Sequence, residues 1–362
     1  MDNTKIIPIS EPDLNGNENR YVNDCLKSTW ISSLGKYNTE FERKFSEYNH
    51  VKRSVAVFNG TVALHLALIT LGIGHGDEVI VPDLTFVATA NVVSHTTAKA
   101  VLVDVDKKSW NIDINKIEKN ITNKTKAIMP VHLYGNPCDM DPIMDIAKKH
   151  NLYVIEDVAQ ATGAEYKGKK LGSIGDIGCF SFYGNKIITT GEGGMCITNN
   201  EKYADKMAFL ANHAMSNEKK YWHTEIGYNY RMTNIQAAIG LAQLERIDEF
   251  IDIKRKNSEL YNKLLCDVKG IQLPSEEKWA KNVYWMYSII SNNREKIAAN
   301  LKKENIDTRP FFHSLHTMSP YKREGDYAIS EELSMKGLSL PSSTKLTRHE
   351  IERIAEIIKN VA

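Results

Sequence analysis

From Val51 to about Asn200 the apolar positions fall into short β-rich runs separated by longer helical ones. Asn59 precedes Gly60-Thr61-Val62-Ala63-Leu64-His65-Leu66-Ala67-Leu68, an apolar stretch that predicts a largely buried helix closed by Gly72. Glu78-Val79-Ile80-Val81 reads as a short strand, followed by a polar break and Thr85-Phe86-Val87-Ala88. Lys126–Val131 predicts another strand. The next helix takes Asp139 as its N-cap, with Pro142 tolerated in the first turn. Its Ile143, Met144, Ile146 and Ala147 are expected to face a sheet. Leu152-Tyr153-Val154-Ile155 is the following strand and ends in Glu156-Asp157. Strand, helix, strand in close succession implies right-handed crossovers and a mostly parallel α/β sheet covered on both faces. Ligands of such sheets bind outside the carboxyl ends of the strands, where Asp157 stands.

Beyond this region, Thr233–Phe250 predicts a long amphipathic helix leading out of the large domain. Helices near Lys254–Leu265 and Arg294–Asn305 follow, with short strands such as Met286–Ile290 between them. Thr347-Arg348-His349-Glu350 fits a capping box, and Ile351, Ile354 and Ile358 form a stripe at helical spacing. A boundary is expected near residue 250, giving a large domain with an N-terminal arm (1–250) and a smaller C-terminal α+β domain (251–362).

A hydrophobic share of 42% and a charged share of 25% over 362 residues are those of an ordinary globular protein with room for such a pair of domains. The net charge of +1 gives no electrostatic reason to expect nucleic acid or an anionic membrane as partner, though a local phosphate pocket fits. The five cysteines, Cys25, Cys138, Cys179, Cys196 and Cys266, include no C-x-x-C pair, which speaks against zinc and against a redox dithiol. Their odd number and the polar stretch Met1–Gly16, which lacks the apolar core of a secretion signal, lead us to expect reduced thiols in a cytoplasm. The apolar runs at Val79–Pro82 and Ala127–Val131 are too short to span a bilayer. Neither a G-x-G-x-x-G after a strand nor a G-x-x-x-x-G-K-[ST] occurs, which lowers the case for a dinucleotide oxidoreductase or a P-loop enzyme.

The candidate chemistry centres on Ser181-Phe182-Tyr183-Gly184-Asn185-Lys186 and the glycine-rich Thr189–Gly194 run after it. A lysine on such constrained backbone forms a Schiff base if burial or a neighbouring charge keeps its amine neutral; taken alone, a lysine is far more often a solvated loop residue. Asp157 is suited either to pairing with the protonated ring nitrogen of pyridoxal phosphate or to capping its own turn. The two are 29 residues apart in the chain, room for a hairpin and one returning strand. Asn59-Gly60-Thr61 opens a helix, a natural phosphate seat. Phe86 is a candidate to stack on the cofactor or a core aromatic. Gln160 is a candidate partner for a ring oxygen or a polar residue at a helix start. In Asn229-Tyr230-Arg231-Met232-Thr233-Asn234, Arg231 is suited to an anion, and Thr233 or Asn234 to a cap.

Together these segments resemble the DegT/DnrJ/EryC1/StrS family of sugar aminotransferases. The likeness runs from Asn59–Leu64 to Asn229–Met232 and is strongest at Glu156–Ala161, Gly175–Phe182 and Lys186–Gly194. Many members have a His-Pro pair where this chain has Gly184-Asn185. That departure, with Tyr221-Trp222-His223, Arg309–Phe312 and Leu315–Met318, is similar to the subgroup acting on GDP-4-keto-6-deoxy-D-mannose. The resemblance implies an aspartate-aminotransferase-like fold (fold type I), pyridoxal 5'-phosphate, and a cytoplasmic homodimer with shared active sites. It implies that Lys186 bonds the cofactor and shuttles protons, that Asp157 pairs with the pyridine nitrogen, that Gln160 contacts the ring hydroxyl and that Phe86 stacks. Gly60, Thr61 and Ser181 would hold the phosphate, helped by Asn229 of a second copy, while Arg231, Arg309 and His316 are candidates for the sugar nucleotide.

The implied reaction carries an amino group from L-glutamate to C4 of a nucleotide-linked 4-keto-6-deoxy sugar, a step in O-antigen synthesis. Alternatives are the same reaction on a UDP- or dTDP-linked sugar and a regulatory protein that keeps the fold without turnover. A deoxygenating dehydratase of the same fold would carry histidine at position 186, where this chain has lysine.

Overall fold

Alternate residues of each central strand face opposite ways, and that alternation builds two apolar layers on one sheet. Val79 and Val81 face one layer while Ile80 between them faces the other. The computed structural model describes residues 6–361, so Met1–Lys5 of the polar N-terminal stretch lie outside the described residues. The chain begins with α1 (Glu18–Ser28), α2 (Lys36–Asn49), β1 (Arg53–Val57) and α3 (Gly60–Thr70). Next come β2 (Glu78–Pro82), α4 (Ala88–His95), β3 (Lys99–Val103), α5 (Ile114–Ile117) and β4 (Thr125–Ile128). Then follow α6 (Met140–His150), β5 (Tyr153–Asp157), the hairpin β6 (Glu165–Tyr166) and β7 (Lys169–Lys170), β8 (Ile177–Ser181) and β9 (Gly194–Thr198).

Seven of these strands form one sheet in the order β1-β9-β8-β5-β4-β2-β3. β3, β2, β4, β5 and β8 run parallel, and β9 is antiparallel to both of its neighbours. The mostly parallel sheet is as expected. So is the hairpin plus one strand between Asp157 and Lys186. On one face α3 packs its apolar sides with α4 and α7 (Glu201–Ala211). Phe41 and Phe45 of α2 and Ile143 of α6 fill the other face, against Phe180 and Ile128. Ser181 pairs with Gly194, and Gly194 with Val57, so the ends of β8, β9 and β1 lie on one line beside the start of α3.

The region read as one helix over 233–250 is two. α8 (Asn234–Leu244) stops before Arg246, whose backbone (φ −117°, ψ 9°) leaves the helical region, and α9 (Ile247–Leu265) begins there. Arg246 is held at this break by Asp13 and Glu249. The 19-residue α9 runs without a break through residue 250, so the boundary expected there falls in its first turn. The remaining elements are β10 (Ile271–Gln272), β11 (Ala280–Lys281), β12 (Tyr287–Ser291), α10 (Arg294–Lys303), β13 (Arg309–Pro310), α11 (Ala328–Lys336), β14 (Gly337–Leu340) and α12 (Arg348–Lys359). Thr347 and Glu350 close the expected capping box, and Ile351, Ile354 and Ile358 are buried.

A second sheet, β10-β12-β14-β13, carries the C-terminal core. The C-terminal part is stitched to the front of the chain at several places. Ile7 bridges to Ile306 and Ile9 accepts from the amide of Ser342 at 2.8 Å, so the N-terminal arm packs with the C-terminal part. β11 pairs with β6 across the expected boundary. Among the described residues no helix is long and apolar enough to cross a membrane.

Candidate active site

Parallel strands deliver their carboxyl ends to one edge, and here that edge opens into a cavity of about 490 Å³. It is lined by Gly60, Thr61, Phe86, Asp157, Gln160, Ser181, Lys186 and Arg309 among the residues singled out from the sequence. Thus the start of α3, β13, and the ends of β2, β5 and β8 with the loops that follow them bring together eight of the eleven candidates.

The Asp157 side chain is buried and held on both oxygens. Oδ2 accepts from the Thr89 hydroxyl at 2.9 Å and Oδ1 from the Ala159 amide at 3.1 Å, so it caps its turn while lining the cavity. Burial raises its pKa above the usual carboxylate range, opposed by the Ala159 and Thr89 bonds and by the charge of Lys186. Lys186 shows the converse: burial pushes its amine down to about 7, with Arg309 adding to the fall and Asp157 opposing it. An amine at that value is divided between its charged and neutral forms near neutral pH, and the neutral form is nucleophilic.

The helix start expected to seat a phosphate is built by close backbone approach. Asn59 caps α3 by accepting from the Val62 amide at 2.9 Å, and a helix cannot bond its first-turn amides, here those of Gly60 and Thr61, internally. A Cβ on Gly60 would stand 2.7 Å from the Ser181 Cβ, so glycine alone lets the helix start and the end of β8 meet. Gln160 is buried, and its Oε1 accepts from the Tyr134 amide at 2.9 Å, which fixes the side chain and leaves its NH₂ as the donor toward the cavity. No helix starts beside it. Phe86 is 54% exposed at the cavity wall, which excludes the core alternative. Arg309 is exposed at the wall. A buried carboxylate, a neutral amine and a glycine-lined helix start facing one space fit pyridoxal phosphate.

Three candidates are not brought to this cavity. His316 is buried elsewhere, its Nδ1 2.8 Å from Asp83 Oδ2 and its Nε2 3.0 Å from Glu331, with Tyr327 stacked on the ring at 4.3 Å. Burial works against its charge, but the bonds to Asp83 and Glu331 outweigh it and raise the pKa. Two carboxylates occupy both ring nitrogens, so the expected sugar-nucleotide contact gives way to a tie between the 315–317 turn and the loop after β2. Arg231 donates to Asn229 Oδ1 at 3.0 and 3.3 Å, and neither side chain lines the cavity of its own chain. Thr233, not Asn234, caps α8.

Sequence reasoning missed Thr89, Tyr183, Glu192, Trp285 and Phe312, all of which line the cavity. Thr85 and Thr89, four apart and hydrogen-bonded at 3.1 Å, left a weak signal in their spacing. Nothing in the local pattern marked Trp285.

The family's sequence profile matches residues 12–359. The chain belongs to the DegT/DnrJ/EryC1/StrS aminotransferase family. It is accordingly a pyridoxal-phosphate-dependent aminotransferase of the aspartate-aminotransferase-like fold. It is similar to a GDP-perosamine synthase of Escherichia coli O157:H7, 49% identical and covering 98% of each chain. Another GDP-perosamine synthase, from Caulobacter vibrioides, is 48% identical, again with 98% of each chain covered. Among solved structures, a Streptococcus pneumoniae protein assigned as a sugar aminotransferase, in its PLP form, superposes with a TM-score of 0.94 at 30% identity, covering 99% of this chain and 98% of that one.

Proposed function

We propose that this chain transfers the amino group of L-glutamate to C4 of GDP-4-keto-6-deoxy-D-mannose, forming GDP-perosamine, with Lys186 and Asp157 as its catalytic pair. The observation that carries the reading is that the neutralised amine of Lys186 and the buried carboxylate of Asp157 line one cavity and act on each other electrostatically. Two full-length relatives named GDP-perosamine synthase support the choice of sugar nucleotide.

Bound pyridoxal phosphate supplies a carbonyl that amines can bond and a ring that withdraws electrons from the bond being broken. The chain's own residues do the rest. Lys186, near pH 7 poised between its two protonation states, takes a proton from the α-carbon of glutamate in the first half and delivers one to C4 of the sugar in the second. Asp157, disfavoured by burial as a lone anion, is stabilised by keeping a proton on the ring nitrogen. From the cavity wall, Gln160 would donate to a ring oxygen of the bound cofactor and Phe86 would cover its ring face. The amides of Gly60 and Thr61 and the hydroxyl of Ser181 bind the phosphate. Arg309 is assigned to the anionic part of the sugar nucleotide.

The same reading includes a homodimer. Tyr183 and Phe86 at the cavity, Phe58 beside the start of α3, and Tyr221, Trp222 and Ile226 on the segment leading to Asn229 are exposed large apolar side chains. A second copy is assigned to cover them, with Asn229 and Arg231 serving that copy's cavity. Light scattering should give about twice the 41.0 kDa chain mass.

The decisive assay offers glutamate with GDP-, UDP- and dTDP-linked 4-keto-6-deoxy sugars and reads the aminated product by mass spectrometry. Preferred turnover of the GDP sugar is expected. Turnover confined to another nucleotide would overturn the substrate, and none with any would overturn the reaction.

A further inference from the structure

The amine of Lys186 rests on an indole. Its Nζ lies 3.7 Å from the centroid of the Trp285 ring. The Trp285 Nε1–H also donates to the carbonyl of Asn185, the residue before the lysine, at 2.7 Å. Trp285 therefore holds the Lys186 segment twice, at its main chain and at its reactive end. It does so from the turn before β12, in the C-terminal part of the chain, so the grip crosses the cavity.

Trp285 is itself fixed from three sides. Tyr134 stacks on it, with interplanar angle 19° and centroids 6.2 Å apart. Gly135, at φ +104°, comes so near that a Cβ there would stand 2.8 Å from the Trp285 nitrogen, so only glycine allows this approach. Lys254, on α9, donates to the Trp285 carbonyl at 3.3 Å and to the carbonyl of Ser342. Lys254 is buried, and both of its bonded acceptors are main-chain carbonyls. Such an amine fixes the two carbonyls it bridges. One of them belongs to the residue on which Lys186 lies.

We infer that Trp285, held in place by Lys254, is a positioning residue for the transfer reaction: its ring face is where the Lys186 amine rests whenever that amine is protonated and unbonded. This rests on the reading of Lys186 as the cofactor-bonding amine. The face of an indole is electron-rich and attracts an ammonium without accepting its proton. A carboxylate in the same place would bind the charge harder and resist giving the amine back as a base. Around Lys186 the charged and titratable groups are Asp157, Glu192, Arg309 and Tyr183 in the cavity, with Lys254, Glu11 and Asp13 behind it. Asp157 and the Trp285 face favour the ammonium, while burial and Arg309 oppose it.

The test uses cofactor-free protein. Competitive labelling of amines with acetic anhydride across pH 5–10, read by mass spectrometry on the Lys186 peptide, gives the pH at which that amine becomes reactive. Trp285→Leu is expected to move this midpoint down by about one to one and a half units, the worth of a desolvated cation–π contact. Trp285→Phe, which keeps a ring face, should recover most of the shift. A midpoint unchanged or raised in the leucine variant would show that the ring merely excludes water and would overturn the proposal. Should that variant not fold, uniform incorporation of polyfluorinated tryptophan weakens the ring face at nearly constant shape. The same downward shift is expected, and its absence is equally fatal. Borohydride reduction of wild-type holoenzyme separately locates the cofactor: an adduct away from Lys186 overturns the underlying reading, whatever the labelling shows.

Discussion

Lys186 and Lys254 present the same problem with different solutions. Burial pushes both amines down to about 7. Lys254 spans two carbonyls, of Trp285 and Ser342, and only a space of about 10 Å³ adjoins it. Lys186 fronts the cavity of about 490 Å³, with a carboxylate, an anion seat and an aromatic wall around it. A perturbed amine is therefore not a reactive site by itself. The open space beside it, and the groups that share that space, separate chemistry from structure.

The comparison breaks most visibly in substitution. Lys186→Ala should lower turnover by at least about a thousandfold, the scale of a lost nucleophile and general base, while leaving the thermal midpoint of the cofactor-free protein near that of wild type. Removing a buried amine also removes its desolvation cost. If turnover survives, the two lysines have been assigned the wrong way round.

Acidity gives a smaller effect of definite sign. Only the neutral Lys186 amine bonds a carbonyl, so the rate at which cofactor-free protein acquires its yellow absorbance should fall about tenfold per pH unit below about 7 and level off above it. A midpoint near 10 would place the amine in water. Stability follows the same shifts. Both folded-state values lie below the roughly 10.4 of a free lysine, so the unfolded chain binds more protons between about 7 and 10.4. Across that window these two residues make stability rise with pH, and the gain is lost as pH falls toward 7.

The smallest effect is expected at the other lysine. Lys254→Met should cost about 1–3 kcal/mol in denaturant unfolding, because two buried carbonyls lose their donor, and should reduce turnover less than tenfold through a loosened Trp285. A turnover loss as deep as that of Lys186→Ala, at unchanged stability, would erase the distinction drawn here.

Much of this architecture was legible in the chain. The apolar run behind Asn59, the β-rich run ending in Asp157 and the Thr347–Glu350 box each became the element that their spacing predicted. These are local features, set by period and by caps within a few residues. The break at Arg246 was missed because its cause is an ion pair with Asp13, more than two hundred positions away. His316 was a candidate for the sugar nucleotide in the chain, whereas its partners Asp83 and Glu331 meet it only on folding.

The sequence by itself determined which residues are candidates for chemistry: an amine and a carboxylate 29 positions apart, a helix opening on Gly60, and family motifs over nearly the whole length. Tertiary structure alone decided what each of them meets. It set Thr89 on Asp157, Trp285 under Lys186, the N-terminal arm against the C-terminal part, and His316 away from the cavity. The reason is physical. Periodicity fixes which way a side chain points from its own strand or helix, whereas its partner is fixed by strand order and packing among residues far away in the chain.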